Sequence, residues 1–158
     1  MSSGAFPARF IEATGEHLPV LLPMMRRLAE QPPALPFHDE EASQALQNFF
    51  AHSEYGRAWL IEAAGNVVGY VILTLGYSFE YRGRDAFVDE LYIEPEFRRR
   101  GLGRRAMEFV EKRAKEMGVN ALHLEVDPKN EAALELYRQS AYQRHDRYLM
   151  TKCLRRPR

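Results

Sequence analysis

The sequence predicts a single α/β domain, and three observations carry that expectation. Apolar residues recur at helical spacing in four stretches, and between them lie runs of strand length rich in β-branched and aromatic residues. Two of those runs, 57–63 and 67–77, flank the turn Ala64-Gly65-Asn66 and read as a hairpin. A third, AFVDELYI over 86–93, leads through the turn Arg98-Arg99-Arg100-Gly101-Leu102-Gly103 into the longest helical pattern. At 158 residues the chain can bury one core but not two, so residues 1–158 are expected to form one domain, with 155–158 as a basic tail.

Residues 9–13 (RFIEA) read as a short first strand. A helix is expected over 16–30, where Leu18, Leu21, Leu22, Met25 and Leu28 form the buried stripe; Pro19 suits its first turn and Pro23 should bend or delay it. The proline-rich stretch 31–36 breaks the chain ahead of a second helix, 39–52, with Ala42, Ala45, Leu46, Phe49 and Phe50 on one side. After the hairpin, a polar loop over 78–85 turns at Gly83 and feeds the strand that carries Asp89 and Glu90. The long helix buries Leu102, Met107, Phe109, Val110, Ala114 and Met117, and Gly118 caps it. ALHLEV over 121–126 alternates as a strand, 127–130 is a turn, and 131–139 is a fourth helix. Residues 142–154 are expected to supply one or two closing strands, which makes about four helices around six to seven strands.

Acids and bases balance at 22 each, a distribution that favours neither nucleic acid nor an acidic membrane surface as partner. The one cysteine, Cys153, excludes an internal disulfide and makes a reducing, cytoplasmic compartment the default. The N-terminus is too polar for a secretory segment and LPVLLPMM is too short to span a bilayer, so no membrane partner is expected. The five histidines are scattered and no Cys/His cluster has ligand spacing, so no metal is expected either.

The glycine turn is the chemical centre of the chain. A helix start leaves its first N–H groups without intrahelical acceptors, and Gly101 and Gly103 let a ligand approach that backbone. With the positive helix end and the flanking arginines, this makes a site for phosphate or pyrophosphate. The dinucleotide pattern Gly-x-Gly-x-x-Gly fails at Ala106, and the ATPase loop fails because no Gly-Lys-Ser/Thr ends the turn. The alternative of a solvated or nucleic-acid-binding basic face is opposed by Glu94, Glu96 and Glu108, which interrupt it.

Arg98-x-x-Gly101-x-Gly103 after a strand, followed by Asn130-x-x-Ala133-x-x-Leu136-Tyr137, resembles the GNAT superfamily of acyl-CoA-dependent N-acyltransferases. The resemblance implies a GNAT-type fold, a mixed, mostly antiparallel sheet splayed between the strands at 86 and 121, with acetyl-CoA as cosubstrate in the gap. It further implies that backbone amides of Arg99, Arg100, Gly101, Leu102, Gly103 and Arg104 surround the CoA pyrophosphate, with Arg98 and Arg104 adding positive potential. Leu91, Tyr92 and Ile93 would pair with the pantetheine arm, and Asn130 would bond its amides. The family frequently has Gly where Arg99 stands and Gly-Phe where this chain has Ala141-Tyr142.

The same resemblance makes Tyr137 the acid that protonates the departing thiolate, although Ala133, Leu134 and Tyr137 also form an ordinary helical stripe. For the base, Asp89 and Glu90 are adjacent on a strand, so alternation sends them to opposite faces and at most one meets the reacting centre. Asp89 matches the family's catalytic position more often, while a water chain, or recognition of a cationic acceptor by the same charge, stays open. His123 and Glu125 form a weaker second pair on one strand face, and the segment 37–41 borders the acceptor pocket by resemblance. The expected function is acetyl transfer to a primary amine by direct attack in a ternary complex, the acceptor being a small cationic amine. A protein lysine or N-terminal amine, an aminoglycoside, and a CoA-binding sensor without turnover are the alternatives, and a homodimer through the C-terminal region is one option.

Overall fold

The computed structural model describes residues 7–32 and 34–154, so the expected tail at 155–158 and Pro33 of the proline-rich break lie outside the described residues. In chain order the elements are β1 (Ala8–Glu12), a 3₁₀ turn (Gly15–His17), α1 (Leu18–Ala29), α2 (Asp39–Ala51), β2 (Gly56–Ala63), β3 (Asn66–Ser78) and β4 (Gly83–Ile93). A second 3₁₀ turn (Pro95–Phe97), α3 (Leu102–Glu116), β5 (Ala121–His123) and α4 (Glu131–Gln139) complete the set. Helix α1 begins two residues later than its periodicity suggests. Pro19 sits in its first turn, and Pro23 lies inside the helix, where its missing N–H removes one bond.

The sheet runs in the order β1-β2-β3-β4-β5. The first three ladders are antiparallel, and β5 joins β4 in parallel through the α3 crossover. Each face of the sheet carries its own layer. Leu21 and Met24 of α1 and Leu46 of α2 pack on Ala58, Leu60, Tyr70, Ile72 and Tyr92. Met107, Val110 and Ala114 of α3 cover Trp59, Val71, Leu73, Ala86 and Val88 on the other side, where Phe109 stacks on Phe10 with ring centroids 4.2 Å apart. This two-layer cover explains why β3 reads as an almost uninterrupted apolar run: both of its faces are buried.

The expectation of six to seven strands is not met, since five are present among the described residues. The closing strands expected over 142–154 do not form there. Charged residues from Arg144 to Arg147 break the apolar alternation, and Arg147 instead pairs with Glu80 at 2.8 and 3.0 Å, leaving Tyr148, Leu149, Met150 and Leu154 exposed. Strand β5 is also shorter than the ALHLEV pattern, because its pairing with β4 stops at Phe87↔His123. From Val88 to Ile93, the edge of β4 turned away from β3 therefore has no strand beside it among the described residues.

Candidate active site

A β-bulge sets the site. Ile72 pairs with Glu90 and Leu73 with Val88, so Asp89 is one extra residue in β4 with no partner of its own. Before the bulge, Ala86 and Val88 face α3; after it, Leu91 packs on that side while Tyr92 faces α1. The phase of the strand has slipped by one. Asp89 and Glu90 consequently turn to the same face, and both line an open pocket floored by Met25, Ala42, Ala45, Leu46, Phe49, Ile72 and Thr74. The opposite-face expectation from simple alternation is thus corrected: an inserted residue cancels a period of two.

The two carboxylates stand in different surroundings. Asp89 lies toward the open side, and burial against the pocket wall raises its carboxyl above the usual range. Glu90 is half-buried; burial raises its carboxyl, the bond from Tyr70 pulls the other way, and the charge of Asp89 adds to the rise. The Tyr70 hydroxyl donates to Glu90 Oε2 at 2.7 Å. A little farther along β4, Tyr92 donates to Glu94 Oε2 at 2.8 Å, and Arg27 of α1 closes on Glu94 Oε1 at 2.5 Å, tying the helix to the strand end. A second hollow, between β1, β2 and α2, has its carboxylate Glu12 already paired with Arg57 at 3.2 Å. It holds neither carboxylate of the bulge.

The glycine turn follows the strand end directly. Gly101 has φ of 78°, and a Cβ placed on it would meet nothing within 4 Å, so its backbone faces open space. The helical ladder of α3 starts with Arg105 N–H on the Gly101 carbonyl at 3.1 Å, leaving Leu102, Gly103 and Arg104 N–H without intrahelical acceptors. Gly103 serves packing instead: its Cβ would lie 3.1 Å from Leu136 Cδ2 of α4 and 3.7 Å from Ile93 Cδ1. Arg99 holds φ of 59°, a left-handed conformation that glycine adopts more cheaply, which is the physical content of the departure at that position.

The arginines of the turn are less free than their sequence suggests. Arg98 Nε donates to the Ile93 carbonyl at 2.7 Å, and its guanidinium lies 5.7 Å from the Tyr92 ring centre, so it clips the turn to the strand. Arg100 lies over the Phe97 ring, and Arg104 pairs with Glu108 at 3.0 Å in an exposed i,i+4 bridge. Such a bridge is weak and can open for a ligand.

On α4, Asn130 Oδ1 accepts the Ala133 N–H at 3.1 Å, so its side-chain oxygen caps the helix. Tyr137 is half-buried beside Tyr142, ring centres 5.9 Å apart, and burial raises its hydroxyl. The Tyr142 hydroxyl, pushed up to about 12 by burial, is fully enclosed without a hydrogen-bond partner among the described residues. Ala141 takes φ of 62°, again a conformation that favours glycine. His123 meets Asp85 at 3.4 Å and not Glu125, which is exposed, so the weaker second pair does not assemble. In the segment 37–41, Asp39 is paired with Arg26, with Arg26 Nε 3.2 Å from Asp39 Oδ1. The pocket is lined by the next turns of α2. Among the described residues no group of three or more metal-ligating side chains exists, and no helix is long and apolar enough to cross a membrane.

Sequence reasoning missed Tyr70 and the pocket role of Met25, Leu46 and Phe49. The helix residues carried only a core-stripe signal, and Tyr70 stood inside an apolar strand where a hydroxyl was the sole hint of a buried partner.

The chain is similar to known proteins in sequence and in fold. Over 72 residues, 46% of this chain and 42% of the relative, the sequence is 33% identical to bovine thialysine N-epsilon-acetyltransferase, from Bos taurus. The match thus spans under half the length of that relative. Among solved structures, an integron cassette protein from the mobile metagenome of Cole Harbour Salt Marsh superposes with a TM-score of 0.81 at 31% identity, covering 94% of this chain and 91% of that one. A predicted acetyltransferase with acetyl-CoA from Clostridium acetobutylicum shares the fold, with a TM-score of 0.77 at 16% identity over 92% and 96% of the two chains. Residues 22–142, which span the pocket, the bulge, the glycine turn and α4, match the Acetyltransferase (GNAT) family, and the chain belongs to it.

Proposed function

We propose that this protein transfers the acetyl group of acetyl-CoA to the primary amine of a small cationic acceptor, by direct attack in a ternary complex. The observation that carries the reading is the bulge, which gathers Asp89 and Glu90 at one pocket beside the unpaired edge of β4. An extended pantetheine arm can bond that edge at Leu91, Tyr92 and Ile93, as an added strand would. The pyrophosphate then sits on the amides from Arg99 through Arg100, Gly101, Leu102 and Gly103 to Arg104, with Arg98, whose own N–H bonds the Pro95 carbonyl, adding positive potential and the positive end of α3 behind them.

Asn130 contributes its side-chain amide to the pantetheine while its oxygen keeps the helix cap. Asp89 or Glu90 removes a proton from the ammonium, and a carboxylate whose basicity is raised by burial suits that task. Tyr137, kept protonated by burial, supplies a proton to the thiolate. Two carboxylates in an apolar pocket favour a cationic amine on a slender apolar stem over a polyhydroxylated sugar, whose hydroxyls would lose hydrogen bonds there. The matched bovine relative is named for the ε-nitrogen of thialysine, which fits that preference. The reading places the protein in the cytoplasm, with the exposed thiol of Cys153 suited to a reducing compartment. Its exposed apolar C-terminal residues suit a homodimer.

The test is free-thiol release from acetyl-CoA across a panel of alkylamines, diamines, thialysine, aminoglycosides and lysine peptides. Turnover is expected with the alkylamines, diamines or thialysine, and tight CoA binding with no turnover on any amine would refute the reading. Tyr137→Phe is expected to lower kcat by about 100-fold or more at neutral pH with little change in acetyl-CoA affinity. Unchanged kcat across pH would remove Tyr137 from the acid role.

A further inference from the structure

The acid pair is asymmetric because of one side chain that the reading above does not use. Tyr70 is fully buried on β3 in the cluster formed with Leu21, Met24 and Tyr92, and its hydroxyl ends on Glu90 Oε2 at 2.7 Å. A buried phenol needs an acceptor, and a carboxylate provides a charge-assisted one that fixes the rotamer of both groups. Among the described residues no donor reaches Asp89 in the same way. The helices opposite bring no charge to Glu90: Met25 of α1 and Leu46 and Phe49 of α2 face it. The ion pairs of those helices, Arg26–Asp39 and Arg27–Glu94, satisfy one another, and Glu40 and Glu41 stand exposed at the start of α2.

We propose that Tyr70 is a positioning residue that divides the work of the pair: clamped Glu90 holds the cationic group of the acceptor, and Asp89 takes its proton. This rests on the amine-acetylation reading. One ammonium proton passes to Asp89 and on to solvent, freeing the nitrogen lone pair to form the C–N bond. As the C–S bond breaks, Tyr137 gives its proton to sulfur; the second proton lost by nitrogen passes to solvent and the Tyr137 phenolate regains one from solvent, so amide, thiol and one released proton result.

The experiment uses the full chain carrying Tyr70→Phe, with n-butylamine and 1,4-diaminobutane as acceptors. Glu90 is followed by carbon NMR of side-chain-labelled glutamate, assigned with Glu90→Gln. In Tyr70→Phe the Glu90 carboxyl should titrate at higher pH. The amine KM should rise about tenfold while kcat changes by less than about threefold, and the acidic limb of kcat should persist.

A merely structural Tyr70 would lower the melting temperature and move none of these. An unmoved Glu90 titration, or a loss in kcat without a change in KM, overturns the proposal. If Tyr70→Phe does not fold, Glu90→Gln decides: a raised amine KM with the acidic limb of kcat intact supports the division, and loss of that limb overturns it. The carboxyl titration needs no turnover, so an unmoved Glu90 in an active enzyme defeats this proposal alone. A wild-type protein inert toward every amine defeats the broader reading and this one with it.

Discussion

Replacing Gly69 with alanine tests how tightly the strand end is built. A Cβ there would lie 2.2 Å from the Tyr92 carbonyl oxygen and 3.1 Å from the Ile93 Cα, both backbone atoms of β4. Ordinary contact begins at 3.4 Å, so β3 and β4 must part by roughly 1.2 Å at the Gly69↔Ile93 pair. No flexible side chain can absorb that shift. Overpacking of this kind costs about 1–3 kcal/mol, and one weakened backbone hydrogen bond adds about 1 kcal/mol, so a loss near 3 kcal/mol is expected. For a chain of 158 residues that corresponds to a fall of about 6–12 °C in Tm. Calorimetry or denaturant titration reads it directly. The same displacement moves Leu91 to Ile93, so acetyl-CoA affinity should drop as well. A Tm within 2 °C of the parent would show that the two strands have slack where the geometry says they have none.

Two further outcomes separate the roles of neighbouring groups. Gly101→Ala places its Cβ in open space at a left-handed φ, so it should cost only about 1–2 kcal/mol of stability. Its titration with acetyl-CoA by calorimetry should show at least about tenfold weaker binding, because the methyl occupies the approach to the turn; unchanged affinity would move the diphosphate elsewhere. The raised carboxyls of Asp89 and Glu90 bind protons more tightly folded than unfolded, so stability falls as pH rises from the ordinary carboxylate range through their raised values and stays lower above. Asp89→Asn should flatten part of that decline and make the protein more stable than the parent at neutral pH while lowering turnover. Denaturation curves from acid to neutral pH check this, and parallel profiles for the two proteins would show that Asp89 is no more strained folded than unfolded.

Most of the elements were legible because local patterns specify them. The β2–β3 hairpin, the apolar stripe of α3 and the start of α4 at Asn130 follow from periodicity, a tight turn and a cap. The C-terminal expectation failed because Tyr148, Leu149 and Met150 have strand-like composition, yet among the described residues no partner strand takes up their backbone, and composition alone does not supply one. His123 was read with Glu125 on its own strand, whereas cross-strand pairing brought it to Asp85.

By itself the sequence determined the family motif, the turn with its open glycine and the presence of two adjacent acids, since each is a matter of residue type and near-neighbour spacing. Only the tertiary structure decided that those acids share a pocket. The deciding feature is one unpaired residue in the β3–β4 register, and register is set by how the two faces of the sheet pack on α1, α2 and α3. Tyr70 belongs to the same class: a hydroxyl twenty residues away in sequence reaches Glu90 only when the strands lie side by side.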